Sequence, residues 1–179
     1  MGNARSFFFT AQCHFATPPT GNAILLTIYN PGGSRRSLYL RRLRFSAICD
    51  AAASTPSTML YVAQRFHAPS APTGGRTGAM VPANPMDKGT TGQTPVAVAQ
   101  VNYGTTIVLS GATYDAPFAT AGIPRVPGCF SDDIGELGYP DDPFVVASGD
   151  GIAVSNSGDL VGGDGFLVNG MITEVGPPS

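Results

Sequence analysis

The sequence predicts an all-β fold: a single-domain jelly roll or a related antiparallel β-sandwich with two long irregular loops. Glycine and proline supply 23 and 16 of the 179 residues, and charged residues make up only 12%, about half of the usual share of roughly 25%. Exposed helix faces are normally built from Glu, Lys, Gln, Arg and Ala, yet Glu occurs twice and Lys once. Short alternating apolar segments between turn residues then favour strands.

The first two predicted strands are strongly apolar. Residues 4–17 place Phe7 and Phe9 on one side, and the run Phe7-Phe8-Phe9 indicates that both faces of this strand are covered. Residues 23–30 form the second strand. It ends at Asn30-Pro31-Gly32-Gly33-Ser34, a turn sequence that predicts a hairpin into the next strand.

The third predicted strand, residues 36–49, contains a change of register. Leu38 and Leu40 share one side of the strand, whereas Leu43, Phe45 and Ala47 share the side of opposite parity. Because side chains alternate between the two faces of a strand, one extra residue would keep both groups on the same face. The pattern therefore predicts a β-bulge at Arg41-Arg42.

The fourth predicted strand, residues 58–67, alternates between two faces. The interpretation places Leu60, Val62 and Phe66 inward, and Tyr61, Arg65 and His67 outward. Beyond it, residues 68–95 show prolines and glycines without any alternation. A stretch of this length in a compact domain is usually functional, so it is interpreted as an extended interaction loop.

The second half of the chain completes the predicted sandwich. Residues 96–103 and 105–113 are expected to pair across Gly104, and residues 143–156 and 165–175 are the last two predicted strands. Residues 115–142 form the second long loop. Neither loop isolates enough strands to close a separate core, so residues 1–179 are interpreted as one domain. Strict hairpin order would instead give an up-and-down barrel.

Charge is distributed unevenly along the chain. Residues 1–90 contain nine cations and two anions, a sum of +7, while residues 91–179 contain one cation and ten anions, a sum of −9; together they give the net charge of −2. Such a division is typical of a nucleic-acid face or of two complementary protein surfaces. Proteins that bind nucleic acid tend to be basic overall, so complementary surfaces are favoured and nucleic acid is not expected as a partner.

A group of arginines is the first candidate contact site: Arg35, Arg36, Arg41, Arg42 and Arg44. Strand geometry puts Arg42 and Arg44 on the face opposite Leu43. The planar guanidinium group suits bidentate pairing with carboxylate or phosphate. We interpret the group as a contact for an acidic subunit surface; nucleic-acid phosphate and a solvated strand face are the alternatives.

An acidic group in the second long loop is the other candidate contact site: Asp132, Asp133, Glu136, Asp141 and Asp142. We interpret it as a surface that meets basic residues of a partner. Paired carboxylates also serve glycosidases and calcium sites, although the spacing here matches no EF-hand loop. Calcium binding by residues 132–142 stays open.

Two Asp-Gly pairs repeat at a spacing of fourteen residues, at Asp150-Gly151 and Asp164-Gly165. A calcium-binding β-roll would need several tandem repeats of such a unit. Asp-Gly is also a common turn sequence between strands. The repeat therefore predicts two turns that bracket a strand.

The sequence favours no enzymatic chemistry. Nucleophile-elbow, phosphate-loop and dinucleotide motifs are missing, and His14 and His67 lie on different predicted strands. We therefore expect no enzyme activity, no metal and no cofactor. Three cysteines without CxxC spacing indicate a reducing compartment. The chain has no run of about 18 apolar residues that could span a membrane.

Four segments carry a resemblance to a known class: ILLTIYNPGGSRRSLYLRRLRF (24–45), FHAPSAPTGG (66–75), FVVASGDGIAVSNSG (144–158) and FLVNGMITEV (166–175). In this order they are similar to small all-β virion proteins of tailed bacteriophages, of the capsid decoration or cement type. The resemblance implies a non-enzymatic protein on the capsid exterior, made in the host cytoplasm. It also implies a homotrimer whose partners are the major capsid protein and copies of itself.

The competing interpretation is a carbohydrate- or receptor-binding β-sandwich module of a phage tail or surface. Sugar-binding platforms usually use exposed aromatic side chains. The chain has no Trp, so stacking would depend on tyrosines: Tyr29, Tyr61, Tyr103, Tyr114 or Tyr139.

Overall fold

A computed structural model describes residues 4–19, 21–48, 58–83, 97–124, 130–132, 144–157 and 160–176. Within these ranges the chain forms strands and no helix, and therefore no helix long and apolar enough to cross a lipid bilayer. The strands are β1 (Ala4–His14), β2 (Ile24–Tyr29), β3 (Ser37–Ile48), β4 (Thr58–His67), β5 (Arg76–Thr77), β6 (Met80–Pro82), β7 (Gln100–Tyr103), β8 (Thr113–Tyr114), β9 (Ala119–Pro124), β10 (Phe130–Asp132), β11 (Phe144–Val146), β12 (Asp150–Asn156) and β13 (Gly165–Val175).

Two antiparallel sheets pack against each other, which confirms the predicted β-sandwich. Sheet 1 has the order β10-β3-β13-β1-β6, with β11 on the same edge of β3 as β10. Sheet 2 has the order β5-β7-β2-β12-β4-β8, with β9 on the same edge of β4 as β8. Strands β1 to β4 alternate between the two sheets, so the up-and-down barrel is excluded.

The predicted hairpin between β2 and β3 is wrong. The turn exists, since the backbone N–H of Ser34 donates to the carbonyl of Pro31 at 3.0 Å, but it carries the chain from sheet 2 to sheet 1. The buried Asn30 holds this crossing: its side-chain amide donates to the carbonyls of Arg36 at 2.9 Å and Val146 at 3.1 Å. A turn signal predicts that the chain reverses; it does not say which strands pair.

The main core lies between the sheets and contains three close aromatic rings. Phe45 of sheet 1 packs on Tyr61 of sheet 2, with ring centroids 4.9 Å apart, and stacks on Phe166 of β13 at 5.2 Å. All three are almost completely buried. Aromatic contacts of this kind contribute beyond their buried area, and the contact of Phe45 with Tyr61 joins the two sheets directly.

The predicted bulge in β3 is confirmed. Leu40 pairs with Ile172 and Arg42 pairs with Met171, so Arg41 is the extra residue between two pairs that are adjacent on β13. As a result, the leucines at positions 38, 40 and 43 and Phe45 are all buried on the inner face of sheet 1.

The predicted facing of β4 is largely wrong. Tyr61 is buried in the main core together with its same-face neighbours Met59 and Ala63, while Leu60 is 36% exposed. Phe66 is buried as predicted, but on the opposite face of the sheet. There it belongs to a second cluster on the outer face of sheet 2, formed by Tyr29, Phe66, Ala68 and Ala153 and packed against Ile24, Leu109 and Ala112. Both faces of β4 are apolar, so alternation alone could not identify the inner one.

The irregular segments contain more strands than predicted. Strands β5 and β6 lie within 68–95, and β9 and β10 lie within 115–142. The expected pair of 96–103 and 105–113 does not form: β7 pairs with β2 and β5, whereas Val108 makes an isolated bridge to Thr73. These strands have two to six residues each, so they are too short to show the alternation that reveals longer strands.

The two Asp-Gly pairs follow turns, as predicted. The backbone N–H of Asp150 donates to the carbonyl of Ala147 at 3.1 Å, and that of Asp164 donates to the carbonyl of Val161 at 3.1 Å. The first turn divides the predicted strand 143–156 into β11 and β12, and the second turn lies directly before β13.

Candidate functional site

The outer face of sheet 1 carries a group of apolar and basic side chains, here called the Phe8 patch: the exposed Phe8, Val81, Arg42 and Arg44 and the half-buried Met171. Phe8 of β1 lies directly opposite Val81 of β6 and Met171 of β13. Met171 in turn lies opposite Arg42 of β3. Four adjacent strands therefore place these residues in one row, because side chains of paired residues point to the same face.

Phe8 departs from the prediction that both faces of β1 are covered. Phe7 and Phe9 are buried on the inner face, whereas Phe8 is 48% exposed and its neighbour Val81 is 59% exposed. A hollow of about 250 Å³ lies beside the Phe8 ring, between it and the side chains of Arg42 and Arg44. The phenylalanine run therefore belongs to a strand whose inner face lies in the core. The ring of Phe8 lies on the outer face.

The structure separates the five predicted contact arginines. Arg42 and Arg44 are exposed on the face opposite Leu43, as predicted. At the bulge, the guanidinium of Arg41 lies over the ring of Tyr39, 5.7 Å from its centroid. Arg35 is exposed in the connection before β3. Arg42 and Arg44 are therefore the arginines that line the hollow of the Phe8 patch.

Arg36 faces a carboxylate of its own chain. Its Nη1 lies 4.0 Å from Oε2 of Glu174, a residue buried near the end of β13. The other oxygen, Oε1, accepts the backbone N–H groups of Val98 at 2.5 Å and Ala99 at 2.8 Å. Glu174 was not among the residues predicted from the sequence. The sequence does contain a pattern that indicates its burial. Glu174 is a charged residue two positions after Ile172 in an apolar strand, so its side chain points to the same inner face as that of Ile172.

Most of the predicted acidic group lies outside the described residues, namely Asp133, Glu136, Asp141 and Asp142. Asp132 is the last residue of β10, and its backbone pairs with Ser46 of β3. Phe144, the first residue of β11, pairs with Leu40 on the same edge. The described ends of this segment therefore flank the part of β3 that carries Arg42 and Arg44. The contact role of the acidic group, like calcium binding, stays a prediction.

One more pair of polar side chains lies at the turn before β12. His67 is 64% exposed, and its Nδ1 lies 2.8 Å from Oδ1 of Asp150 at the turn before β12. Among the residues that the structure describes, no three His, Cys, Asp or Glu side chains are grouped closely enough to hold a metal ion.

The tyrosines proposed for sugar stacking differ in accessibility. Tyr29 and Tyr61 are buried and cannot receive a sugar ring. Tyr103 is half-buried and Tyr114 is exposed, whereas Tyr139 lies outside the described residues. The burial of Tyr114 by its neighbours, although partial, raises the pKa of its phenol.

Exposed apolar groups that adjoin one another on a sheet face are typical of surfaces that bind other macromolecules. The Phe8 patch has this character, with two guanidinium groups at its margin. No family model, no curated protein and no solved structure matches this chain. The Phe8 patch is therefore the feature of the described surface from which a function can be proposed.

Proposed function

We propose that this chain is a non-enzymatic virion structural protein, a capsid decoration or cement protein that stabilises a phage head by binding across neighbouring subunits of the major capsid protein. It would be made in the host cytoplasm and act on the capsid exterior as a homotrimer. The observation that carries the proposal is the Phe8 patch, an exposed apolar row on a sheet face with arginines at one end.

The Phe8 patch supplies a driving force for binding to a flat surface. Complete burial of an apolar side chain such as Phe8 or Val81 contributes about 1.5–3 kcal/mol. A row that crosses four strands of sheet 1 spans roughly 15 Å, because neighbouring strands are about 4.8 Å apart. Such a row can reach across the junction of two neighbouring subunits in a shell.

Arg42 and Arg44 orient the chain on the surface that it binds. Complementary charges at the margin of an apolar contact steer association and select the register of two surfaces. Guanidinium groups pair well with carboxylates, so the shell surface that faces Arg42 and Arg44 should be acidic. The low charge content of the chain, 12%, also lowers the desolvation cost of burying its remaining surface.

The experiment is co-sedimentation with a shell. Particles purified from cells that produce this chain should contain it, and purified chain should bind shells prepared without it. Phe8→Glu should abolish this binding because it puts a charge at the centre of the contact. Val108→Glu is the matched control, since Val108 is 56% exposed but lies in the segment that bridges to Thr73 at sheet 2.

Light scattering tests the trimer separately. A trimer that forms in solution without the shell supports the proposal. A chain that stays monomeric and fails to sediment with any shell would refute it. Equal loss of binding by Phe8→Glu and Val108→Glu, with both proteins folded, would refute the role of the Phe8 patch.

A carbohydrate- or receptor-binding module is the second candidate, and the exposed Tyr114 favours it. Its ring packs against Phe66 with centroids 6.4 Å apart, so one ring edge is anchored while the residue stays 43% exposed. Binding of the chain to a glycan surface that is lost in Tyr114→Ala, and retained in Phe8→Glu, would support this function over the first.

A further inference from the structure

A cleft of about 370 Å³ opens where β1 ends, at a position distinct from the Phe8 patch. Residues 13–17 form one side of it, and residues 75–76 and 103–106 form the other. It therefore lies between an edge of sheet 1 and an edge of sheet 2. Cavities of roughly 300–1,000 Å³ are the usual size for sites that bind small molecules.

The wall on the sheet 2 side is held in place by hydrogen bonds. The Oγ1 of Thr106 accepts the backbone N–H of Gly75 at 3.1 Å, and Thr73 and Val108 exchange two backbone hydrogen bonds of 3.1 and 2.9 Å. Gly75 has a φ of 68°, and a Cβ at this position would lie 2.8 Å from the carbonyl oxygen of Tyr103. The close approach of the two segments therefore requires glycine, and it fixes the wall before any ligand arrives.

The cleft is a cationic environment lined by hydroxyl groups. Arg76 pairs with Tyr103 across β5 and β7, and both residues line the cleft together with His14, Thr105 and Thr106. In the part of the chain that the structure describes, no carboxylate lies within 4.0 Å of the Arg76 guanidinium. No Asp or Glu is among the described residues that line the cleft.

We infer that this cleft binds a small molecule through an oxyanion, either a carboxylate or a phosphate group, held by the guanidinium of Arg76 and the hydroxyl groups of Thr105 and Thr106. The Thr106 oxygen already accepts a hydrogen bond from Gly75, so its own proton is available to a ligand. A guanidinium pairs with two oxygens of such a group at once. Tyr103 provides an aromatic surface for the uncharged part of the ligand.

Titrations of isotopically labelled protein, followed by amide chemical shifts, test this inference with three probes: glucuronate, glucose 6-phosphate and glucose. The charged sugars should shift the amide signals of Gly75, Gly104 and Thr105 at concentrations up to about 20 mM, which saturates even a site with a Kd of about 1 mM. Glucuronate alone indicates a carboxylate ligand, and glucose 6-phosphate alone indicates a phosphate ligand. Glucose, which carries no charge, should leave these signals in place.

Arg76→Gln should weaken the binding of the charged probe by about tenfold or more, since it removes a charge-assisted hydrogen-bond pair. Arg44→Gln is the matched control, because it removes the same charge at the Phe8 patch and should leave the affinity unchanged. The inference is overturned if neither anion shifts these signals, if glucose shifts them as strongly, or if Arg76→Gln binds as well as the parent. The site is independent of the capsid contact, so Arg76→Gln should still sediment with shells.

Discussion

The Glu174 carboxylate accepts the backbone N–H of Ala99 at 2.8 Å, and this contact ties the last strand of sheet 1 to the segment that leads into β7 of sheet 2. The same oxygen accepts the N–H of Val98. The side chain of Glu174 is 1% exposed, and Arg36 approaches its other oxygen at 4.0 Å. A buried carboxylate thus satisfies two backbone donors that no strand pairing satisfies.

Glu174→Ala should lower the free energy of unfolding by about 3 kcal/mol, because the buried N–H of Ala99 and the half-buried N–H of Val98 lose their acceptor. Each unsatisfied buried group costs about 1–3 kcal/mol. Urea denaturation measures this change. Glu174→Gln keeps one acceptor oxygen and should lose less. Asn169→Ala, at an exposed site of the same strand, should change stability by about 0.5 kcal/mol or less; an equal loss in this control would contradict the assigned role of Glu174.

Gly165 marks a close approach of two strands. A Cβ at this position would lie 2.3 Å from the carbonyl oxygen of Cys13, on the backbone of β1. Backbone cannot move aside as a side chain can, so Gly165→Ala should destabilise the chain by about 3 kcal/mol. Gly32→Ala is the matched control, because its Cβ would meet its nearest atom, the Tyr29 hydroxyl, at 4.0 Å.

Thermal unfolding of both glycine variants measures the difference. The expected result is a clear drop in Tm for Gly165→Ala and a Tm close to that of the parent for Gly32→Ala. Similar Tm values for the two variants would show that the β1–β13 pairing tolerates a side chain at Gly165.

Local pattern predicted the features that depend on one strand at a time. The parity change around Arg41 predicted the bulge in β3, and composition predicted the all-β sandwich. Features that depend on what covers an outer face could not be predicted in this way. Phe66 is buried by a distant segment while Phe8 is not, although both are phenylalanines on apolar strands.

The candidate site could be predicted only in part. Strand geometry placed Arg42 and Arg44 outward, but their proximity to Phe8 depends on the order of β3, β13 and β1 in sheet 1. That order joins segments from opposite ends of the chain. The internal position of Arg36 likewise depends on Glu174, which is 138 residues away in the sequence.

Arg44→Glu should weaken assembly on a shell without unfolding the monomer. The substitution places a negative charge where the partner surface is expected to be acidic, and like charges at a contact cost several kcal/mol. Co-sedimentation measures binding, and circular dichroism checks the fold. Arg76→Glu makes the same change in charge at the cleft and should bind shells normally. If Arg44→Glu assembles as well as Arg76→Glu does, Arg44 belongs to a merely solvated face.

The thiol of Cys13 should react slowly with disulfide reagents at neutral pH. Burial raises the pKa of the Cys13 thiol, and the nearby positive charge of Arg76 opposes this effect only in part. The thiolate is the reactive form, so a raised pKa means that less of it exists at pH 8 than for an exposed thiol. Its reaction with a disulfide reagent should therefore be several-fold slower there, and should accelerate at more alkaline pH than that of free cysteine.

The rate for Cys13 is obtained by subtracting the rate measured for Cys13→Ser, which retains Cys49 and Cys129. Arg76→Gln removes the charge that favours the thiolate, so it should slow Cys13 further. Because Cys13 lines the same cleft, a bound oxyanion should also protect it from the reagent. A Cys13 that reacts at pH 8 as fast as free cysteine would show that burial does not govern this thiol.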